Sequence, residues 1–486
     1  MGGFLGVASR HDCIESLFFG TDYHSHLGTV RGGLATLDKG TFHRVIHDIT
    51  TAQFRSKFED DVPKMKGNMG IGVISDYDDQ PLLISSHLGP YAIVTVGALQ
   101  NARDLAKDAF LKRRAHFSEI IGGEISPTEL VANLINQQDS FESGIQYVQQ
   151  VIEGSCSFLL LTPAGIYAVR DRMGRTPVIL GKRPDGYAVT METCAFPNLG
   201  YTVERELGPG EAVLLTQEGI EQRVPPQEEM QICSFLWIYY GYPASSYEGI
   251  NVEESRYRCG AALAEADDVE VDYVAGIPDS GTAHALGYAT RSGIRYRRPF
   301  VKYTPTWPRS FMPQDQNVRD LVARMKLIPI RELTEGQRLL FCEDSIVRGT
   351  QLKDTIQRMY DCGVREVHMR PACPPLVFGC KFLNFSRSRS ELDLAGRMAI
   401  AEIDKSKEID LEEYTDASAE KYQAMVSSIE KRLGLTTLKY QKLGDMIRAI
   451  GLPKSKLCTY CWDGCDKPST CSGNASRQGK NETVLA

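Results

Sequence analysis

The sequence lacks any apolar run that approaches the ~20 residues a membrane span requires, and it lacks an excess of positive charge. Of its 486 residues, 55 are Lys or Arg and 62 are Asp or Glu, so the formal net charge is −7. No basic surface for nucleic acid is expected. Residues 1–6 contain no basic region followed by a long apolar one, so no signal peptide is predicted. We expect a cytoplasmic protein with roughly two to four domains and no membrane partner.

The 13 cysteines are an odd number, and in a cytoplasmic chain thiols or metal ligands are expected more than a disulfide framework. Cys458 and Cys461 form a C-x-x-C pattern, followed by Cys465 and Cys471, to which the sequence assigns no role. By itself this pattern is compatible with zinc, iron–sulfur or redox chemistry. No neighbouring βαβ pattern favours the redox use.

The chain divides at a proline-rich and acidic linker over residues 224–229. Short strand patterns precede the linker, whereas strand and helix patterns alternate after it, as in a parallel α/β sheet. We therefore predict one domain at 1–228, a second at 229–464 and a disordered tail at 465–486. The predicted strands are 70–74, 91–96, 157–162, 165–169 and 211–215 before the linker, and 273–277, 338–341 and 366–370 after it.

Residues 340–352 form the most informative segment of the chain. An apolar, strand-like run ends at Glu343 and Asp344, a polar loop with Gly349 follows, and a helical pattern occupies 352–359. Loop amides at the start of a helix bind phosphate, and carboxylates accept hydrogen bonds from ribose hydroxyls or bind a hard cation. The pattern predicts a sugar-phosphate site; the alternative is an ordinary turn with acids at the end of a strand.

This segment resembles the phosphoribosyl diphosphate (PRPP) motif of type I phosphoribosyltransferases, and residues 344–350 have the wording found in glutamine amidophosphoribosyltransferases. Residues 154–162, 168–177 and 191–196 resemble the class II glutamine amidotransferase domain of the same family. The resemblance covers nearly the whole chain. It implies an α+β N-terminal-nucleophile αββα sandwich followed by an α/β type I phosphoribosyltransferase domain.

The resemblance also implies the residues of a PRPP and Mg²⁺ site. Glu343, where the family commonly has aspartate, and Asp344 would be the catalytic acids, and both would hold Mg²⁺ together with Ser280. The implied PRPP-binding residues are Asp279, Ser280, Gly281, Lys302, Arg309, Arg319, Lys326, Ser345, Ile346, Val347, Arg348, Gly349 and Thr350.

Four cysteines match the ligand positions of the iron–sulfur branch of this family. Cys233 follows the linker, Cys380 follows a Pro-Pro loop, and Cys458 and Cys461 form the C-x-x-C pattern. The resemblance implies a [4Fe–4S] cluster that joins distant segments. Zinc could use the same four sulfurs, and unligated buried cysteines are the remaining alternative.

The glutaminase positions depart from the family. The altered residues are Gly2 for the nucleophilic cysteine, Leu27 in the segment after it, Ser75 for the arginine that grips the glutamine carboxylate, Val96 for the oxyanion-hole asparagine and Pro127 for an acid. We expect that glutamine is not hydrolysed. Cleavage before Cys13 would expose another cysteine, but it removes the first strand and restores none of the other four groups.

The expected reaction is transfer of an amino group to C1 of PRPP with release of pyrophosphate, which forms 5-phosphoribosylamine for purine nucleotide biosynthesis. The nitrogen would come from ammonia, or from an amine supplied by a partner, because the glutaminase is lost. A phosphoribosyltransferase that uses another amine or base is one alternative, and a non-catalytic PRPP-binding regulatory protein is another. The resemblance further implies a homo-oligomer, either a dimer or a tetramer.

Overall fold

The computed structural model describes residues 2–111, 117, 120–121, 124–302, 327–383, 391–405 and 409–466. The helices and strands in these ranges are numbered in chain order. No helix in these ranges is long and apolar enough to cross a membrane.

The first half of the chain contains two antiparallel sheets that pack face to face. In spatial order, the first sheet contains β13 (Thr202–Glu206), β11 (Ile179–Arg183), β12 (Gly186–Thr190), β1 (Gly2–Ser9), β4 (Met69–Ser75), β2 (Arg31–Asp38) and β3 (Thr41–Asp48). The second contains β15 (Ile220–Val224), β14 (Ala212–Leu215), β10 (Gly165–Val169), β9 (Gly154–Thr162), β6 (Gly89–Leu99) and β5 (Leu82–Ser86). A small ribbon pairs β7 (Ile120–Ile121) with β8 (Glu124–Ile125).

Side-chain alternation along the strands divides this half into four layers. On β1, Phe4 and Ala8 join the core between the two sheets, whereas Leu5 and Val7 pack in the cluster that contains the outer helices. This is the period-two alternation of a strand that is buried on both faces. The helices over the first sheet are α1 (Ile14–Asp22), α2 (Phe54–Phe58) and α6 (Ala195–Asn198); those over the second are α3 (Ala102–Leu111), α4 (Pro127–Ile135) and α5 (Phe141–Val151).

The second half is built on a four-stranded parallel sheet. Its strands, in spatial order, are β19 (Tyr273–Gly276), β22 (Arg338–Glu343), β23 (Glu366–Pro371) and β24 (Thr437–Leu438). Two-stranded pairings join β16 (Ile232–Cys233) to β25 (Leu457–Cys458), β17 (Ser246–Tyr247) to β18 (Ile250–Asn251), and β20 (Phe300–Lys302) to β21 (Leu327–Pro329). Each of the eight strands predicted from the sequence overlaps an observed strand.

Helices surround this sheet. They are α7 (Val252–Glu265), α8 (Gly281–Ser292), α9 (Thr350–Asp361), α10 (Ala395–Ile403), α11 (Glu420–Leu433), α12 (Leu443–Ile450) and α13 (Tyr460–Asp463), with a π-helix at Leu236–Tyr240. Single 3₁₀ turns lie at Val62–Lys64, Arg331–Leu333, Glu391–Asp393, Glu412–Tyr414 and Lys454–Lys456. The predicted helix 352–359 lies within α9 and is therefore confirmed.

Two glycines let α7 and α8 approach each other closely. A Cβ at Gly260 would lie 1.8 Å from the carbonyl oxygen of His284, and one at Gly287 would lie 2.0 Å from that of Tyr257. A side chain at either position would therefore push the helices apart. Because α8 begins beside the loop that follows β19, this contact fixes the position of that loop.

A buried carboxylate joins the two halves of the chain. Glu192 in the first half is 1% exposed and accepts hydrogen bonds from the Tyr247 hydroxyl at 2.7 Å and from the Ser245 hydroxyl. His26 Nε2 lies 3.0 Å from its other oxygen. Glu192, Ser245 and Tyr247 would each lose a buried hydrogen bond if the halves separated, so the network favours one fixed arrangement of the two halves.

A second buried carboxylate predicts how stability depends on pH. Asp267 pairs with Arg370, and both side chains are 1% exposed. Burial alone would raise the pKa of Asp267, but bonds from Arg370, Lys439 and Tyr288 lower it to about 2. The stability gained is therefore fully present above the ordinary pKa of 3.8 and is lost as pH falls towards 2.

We expect Asp267→Asn to lower the free energy of unfolding by about 3 kcal/mol at pH 7, because it leaves the buried Arg370 charge without a counter-ion. The difference from the wild-type chain should narrow between about pH 4 and pH 2. Urea unfolding at several pH values measures it. The exposed neighbour Asp268, which also contacts Lys439, supplies the control Asp268→Asn, and an equal loss in both variants would contradict the assignment.

Candidate active site

Two loops meet at the carboxyl edge of the parallel sheet. Gly276 at the end of β19 lies opposite Cys342 in β22, and Glu343 ends β22 opposite Pro371. The loop over residues 277–280 therefore lies beside the loop over 344–349. Ligands of open α/β sheets bind at this edge, and the sheet brings the predicted residues of these two loops together there.

Glu343 and Asp344 are nearly buried at this edge, with 9% and 5% of their surfaces exposed. The Ser280 hydroxyl donates to Glu343 at 3.4 Å, and the Ser345 hydroxyl donates to Asp344 at 2.6 Å. Burial, and then the neighbouring charge of Asp344, raises the pKa of Glu343 well above its usual value. A divalent cation would relieve the repulsion between two ionised carboxylates, and oxygen ligands of this kind suit Mg²⁺.

The loop that follows is the predicted phosphate site. Gly349 has a φ of +77° and lies immediately before α9, whose first residue is Thr350. The free amides and the dipole at the start of a helix favour an anion there. A side chain at Gly349 would be strained in this left-handed backbone conformation.

The predicted pyrophosphate loop lies against the strand that bears the acids. A Cβ at Gly281 would lie 2.3 Å from the carbonyl oxygen of Cys342, so only glycine permits this contact. Asp279 is exposed and pairs with Lys302 at 2.5 Å. The structure thus brings Asp279, Ser280, Gly281 and Lys302 to the same edge as the acids.

Of the other predicted cations, the structure describes only Arg348. Arg348 lies on the phosphate loop and is 3.8 Å from Asp393. Arg309, Arg319 and Lys326 lie outside the described residues. Their part in binding PRPP stays a prediction.

The positions predicted to be altered in the glutaminase pocket lie in both sheets of the first half and in the segments beside them. Gly2 in β1 is directly opposite Ser75 in β4. A Cβ at Gly2 would lie 2.3 Å from the carbonyl oxygen of Ile74, and Leu27 is buried beside Gly3. Main-chain atoms of Ile74 and Ser75 in β4 therefore occupy the space that a side chain at position 2 would need.

The other altered residues have structural roles. The Ser75 hydroxyl accepts a hydrogen bond from the amide of Tyr77 at 3.1 Å. Val96 is 4% exposed within the core between the sheets. Pro127 begins α4 directly after Ser126, whose hydroxyl caps the helix. A proline at the first helical position is favourable, and it has no acidic group to offer.

The four predicted cysteine ligands converge between the two halves of the chain. Cys233 and Cys458 are opposite each other in the parallel β16–β25 pair. Cys461 donates a hydrogen bond to Cys380 and lowers the pKa of that thiol to about 7. Burial, and then the Cys458 and Cys380 thiols, raises the pKa of Cys233 well above its usual value. Cys233, Cys380 and Cys458 come from segments that are far apart in the sequence, so spacing alone does not show that they are close in space.

Among the described residues, no group of three or more His, Cys, Asp or Glu side chains that could hold a metal ion is found. Both the [4Fe–4S] cluster and the zinc alternative on these four sulfurs therefore stay predictions.

The other cysteines do not form a disulfide framework within the described residues. The free cysteines there are Cys13, Cys156, Cys194, Cys233, Cys259, Cys342, Cys362, Cys373, Cys380, Cys458 and Cys461. Cys465 is disulfide-bonded, in contrast to the expectation of thiols or metal ligands. Cys471 lies outside the described residues.

Sequence comparisons agree with this architecture. The glutamine amidotransferase domain family matches residues 68–197. The amidophosphoribosyltransferase of Bacillus subtilis (strain 168) is 31% identical over 415 residues, which cover 82% of this chain and 85% of that protein. The amidophosphoribosyltransferase of Methanocaldococcus jannaschii is 27% identical over 492 residues, which cover 96% and 97% of the two chains.

Solved structures extend the similarity to the whole fold. Glutamine PRPP amidotransferase from B. subtilis, complexed with ADP and GMP, superimposes with a TM-score of 0.82 at 27% identity, covering 95% of this chain and 96% of the other. A structure described as the allosteric regulatory enzyme of purine biosynthesis gives a TM-score of 0.81, also at 27% identity, over 95% of each chain.

The fold is that of a two-domain transferase, with an N-terminal-nucleophile αββα sandwich followed by a type I phosphoribosyltransferase domain. The expected fold class is thereby confirmed. The chain belongs to the amidophosphoribosyltransferase family.

One buried arginine, Arg256, was not predicted from the sequence. Arg256 is 3% exposed, and its guanidinium donates to the carbonyl oxygens of Trp237, Tyr239 and Gly241 around the π-helix. It thus ties the segment after Cys233 to α7. A buried arginine that bonds only to main-chain carbonyls has no local sequence signal.

Proposed function

We propose that the chain transfers an amino group to C1 of PRPP, releases pyrophosphate and forms 5-phosphoribosylamine for purine nucleotide synthesis, with ammonia as the nitrogen source. The observation that carries this proposal is the edge of the parallel sheet. There Glu343, Asp344 and the loop over 345–350 lie together in a chain of the amidophosphoribosyltransferase family.

Each group at this edge has a role in the proposed reaction. The amides before α9 hold the 5′-phosphate. Glu343 and Asp344 accept hydrogen bonds from the ribose hydroxyls or, together with Ser280, hold Mg²⁺. When bound, Mg²⁺ supplies charge neutralisation for the leaving diphosphate. Catalysis then depends on positioning the amine and on excluding competing water from C1.

The nitrogen source follows from the altered glutaminase positions. Gly2 offers no thiol, Ser75 offers no cation for the glutamine carboxylate, and Val96 offers no oxyanion donor. Losing one oxyanion donor alone typically costs roughly 3–4 kcal/mol of transition-state stabilisation. We infer that ammonia, or an amine from a partner, replaces glutamine.

We further propose a [4Fe–4S] cluster on Cys233, Cys380, Cys458 and Cys461. Its support is the convergence of four thiols from three separate segments between the two halves of the chain. A cluster there would join the linker, the loop beyond β23 and the C-terminal segment.

An anaerobic assay of pyrophosphate release from PRPP and Mg²⁺ tests the reaction. Parallel reactions contain ammonium, glutamine or no amine. We expect release only with ammonium, at a rate that rises with pH as free ammonia increases. Tight PRPP binding without release under any amine would overturn the enzymatic proposal and favour a regulatory protein.

Restoring the nucleophile should not restore glutamine use. We expect Gly2→Cys to release no glutamate above a blank without enzyme, since Leu27, Ser75, Val96 and Pro127 remain and a Cβ at position 2 crowds the Ile74 carbonyl oxygen. Gly2→Ala is the control because it adds the same Cβ without a thiol. Glutamate release, or labelling of Gly2→Cys by diazo-oxo-norleucine, would contradict the loss of the pocket.

A further inference from the structure

Arg175 belongs to the amidotransferase-like half of the chain, yet its main chain is fixed against β16, the strand after the linker that contains Cys233. Its amide donates to the Asp171 carboxylate at 3.1 Å, and its carbonyl oxygen accepts from the amide of Cys233 at 3.1 Å. The side chain is 3% exposed. Its position is therefore set by main-chain contacts on both sides.

The guanidinium of Arg175 points into the four-cysteine centre. Its Nη1 lies 2.9 Å from Cys458 Sγ. Its Nη2 donates to the Gln231 side chain and to the main-chain oxygen of Asp466, both at 3.3 Å. Its Cζ lies 3.4 Å from the centroid of the Phe382 ring, and its Nε is buried without a hydrogen-bond partner.

Two of the other deeply buried arginines have a carboxylate counter-ion. Arg170 lies 2.8 Å from Glu248, and Arg370 pairs with Asp267. Within the described ranges, no carboxylate lies within ion-pair distance of Arg175. Arg256 also lacks a carboxylate partner, but its guanidinium donates to three main-chain carbonyl oxygens. The Nη1 of Arg175 instead lies on a cysteine sulfur, so negative charge on that sulfur would stabilise the buried cation.

We propose that Arg175 is the counter-charge of the four-cysteine centre, so that a residue of the amidotransferase-like domain sets the reduction potential of the cluster. This inference rests on the proposed cluster. A cluster held by four thiolates is a net anion, and accepting an electron makes it more negative. A cation bonded to a ligand sulfur stabilises the reduced state more than the oxidised state.

The test compares the full-length wild-type chain with Arg175→Gln, both purified anaerobically. The cluster is titrated with dithionite, a one-electron reductant, and followed by electron paramagnetic resonance. We expect Arg175→Gln to retain iron but to have a lower potential, with the ratio of reduced to oxidised cluster about tenfold smaller at a fixed potential. That change equals about 59 mV for a one-electron couple.

Two further variants separate charge from shape. Arg175→Lys keeps the positive charge but lacks the planar guanidinium. Its reduction potential should therefore lie between the potential of Arg175→Gln and that of the wild-type chain, and closer to the latter. Arg183→Gln removes an arginine that also stacks on a ring of the same half, but that bonds to Asp185 and Ser16 instead of a cysteine. It should leave the potential unchanged.

The outcomes distinguish the inference from the proposal on which it rests. A wild-type chain without iron would overturn both. An unchanged potential in an iron-loaded Arg175→Gln chain would overturn only the role of Arg175. If Arg175→Gln fails to assemble a cluster, Arg175→Lys decides, because loss of iron in that variant too would show that the charge is not what the centre requires.

Discussion

Asp344→Asn will release pyrophosphate from PRPP and ammonium about 100-fold more slowly than the wild-type chain, or slower still. Asp344 is 5% exposed, is bonded by the Ser345 hydroxyl and stands beside Glu343 at the mouth of the crevice. The amide keeps the size of the side chain but removes the charge that would hold Mg²⁺ or the ribose hydroxyls. Effects of this size are typical when one group that stabilises transition-state charge is removed.

The matched control is Asp272→Asn. Asp272 lies at the opposite end of the same sheet, where it accepts hydrogen bonds from the amide of Arg338 at 2.7 Å and from its guanidinium at 3.2 Å. It should leave turnover nearly unchanged. Equal rates for Asp344→Asn and the wild-type chain, measured at saturating PRPP and Mg²⁺, would exclude Asp344 from the reaction.

The sequence predicted the strands and helices of the site, but it predicted less well the residues at which they end. The apolar run 338–341 indicated a strand, but β22 continues to Glu343, whose main chain pairs with Pro371. Hydrophobicity marks where a strand is buried, whereas the ladder continues as long as its neighbour provides partners. The first acid is therefore part of the strand itself, which fixes it more firmly than a loop would.

Contacts between distant segments could not be predicted from the sequence. Arg175 and Cys458 are 283 residues apart, and the turn around Arg175 has an ordinary local sequence. Glu192 similarly finds Tyr247 and Ser245 only after both halves fold. Such contacts depend on how the sheets and helices pack against one another, and no local sequence pattern predicts that packing. The family resemblance located the four cysteines, but the cation beside them is visible only in three dimensions.

The four cysteines also predict the colour and metal content of the protein. Anaerobically purified chain should be brown, with about four irons and four sulfides per chain. Cys458→Ser should lose both, because a serine hydroxyl is a poor substitute for a thiolate on a cluster iron. Since Cys458 accepts a hydrogen bond from Arg175 of the first half, loss of the cluster should also weaken the contact between the halves and lower the melting temperature.

Cys259→Ser is the control for this loss of iron. Cys259 is a buried thiol of the same half, and it bonds to the Ala372 carbonyl oxygen and the Gln441 amide, contacts that a hydroxyl can also make. That variant should retain iron, sulfide and the visible absorption. Iron retained in Cys458→Ser, or stoichiometric zinc in wild-type chain from iron-replete cells, would contradict the cluster. The comparison is decisive because both variants remove one buried sulfur, but only one of those sulfurs lies beside Arg175 and the other three thiols.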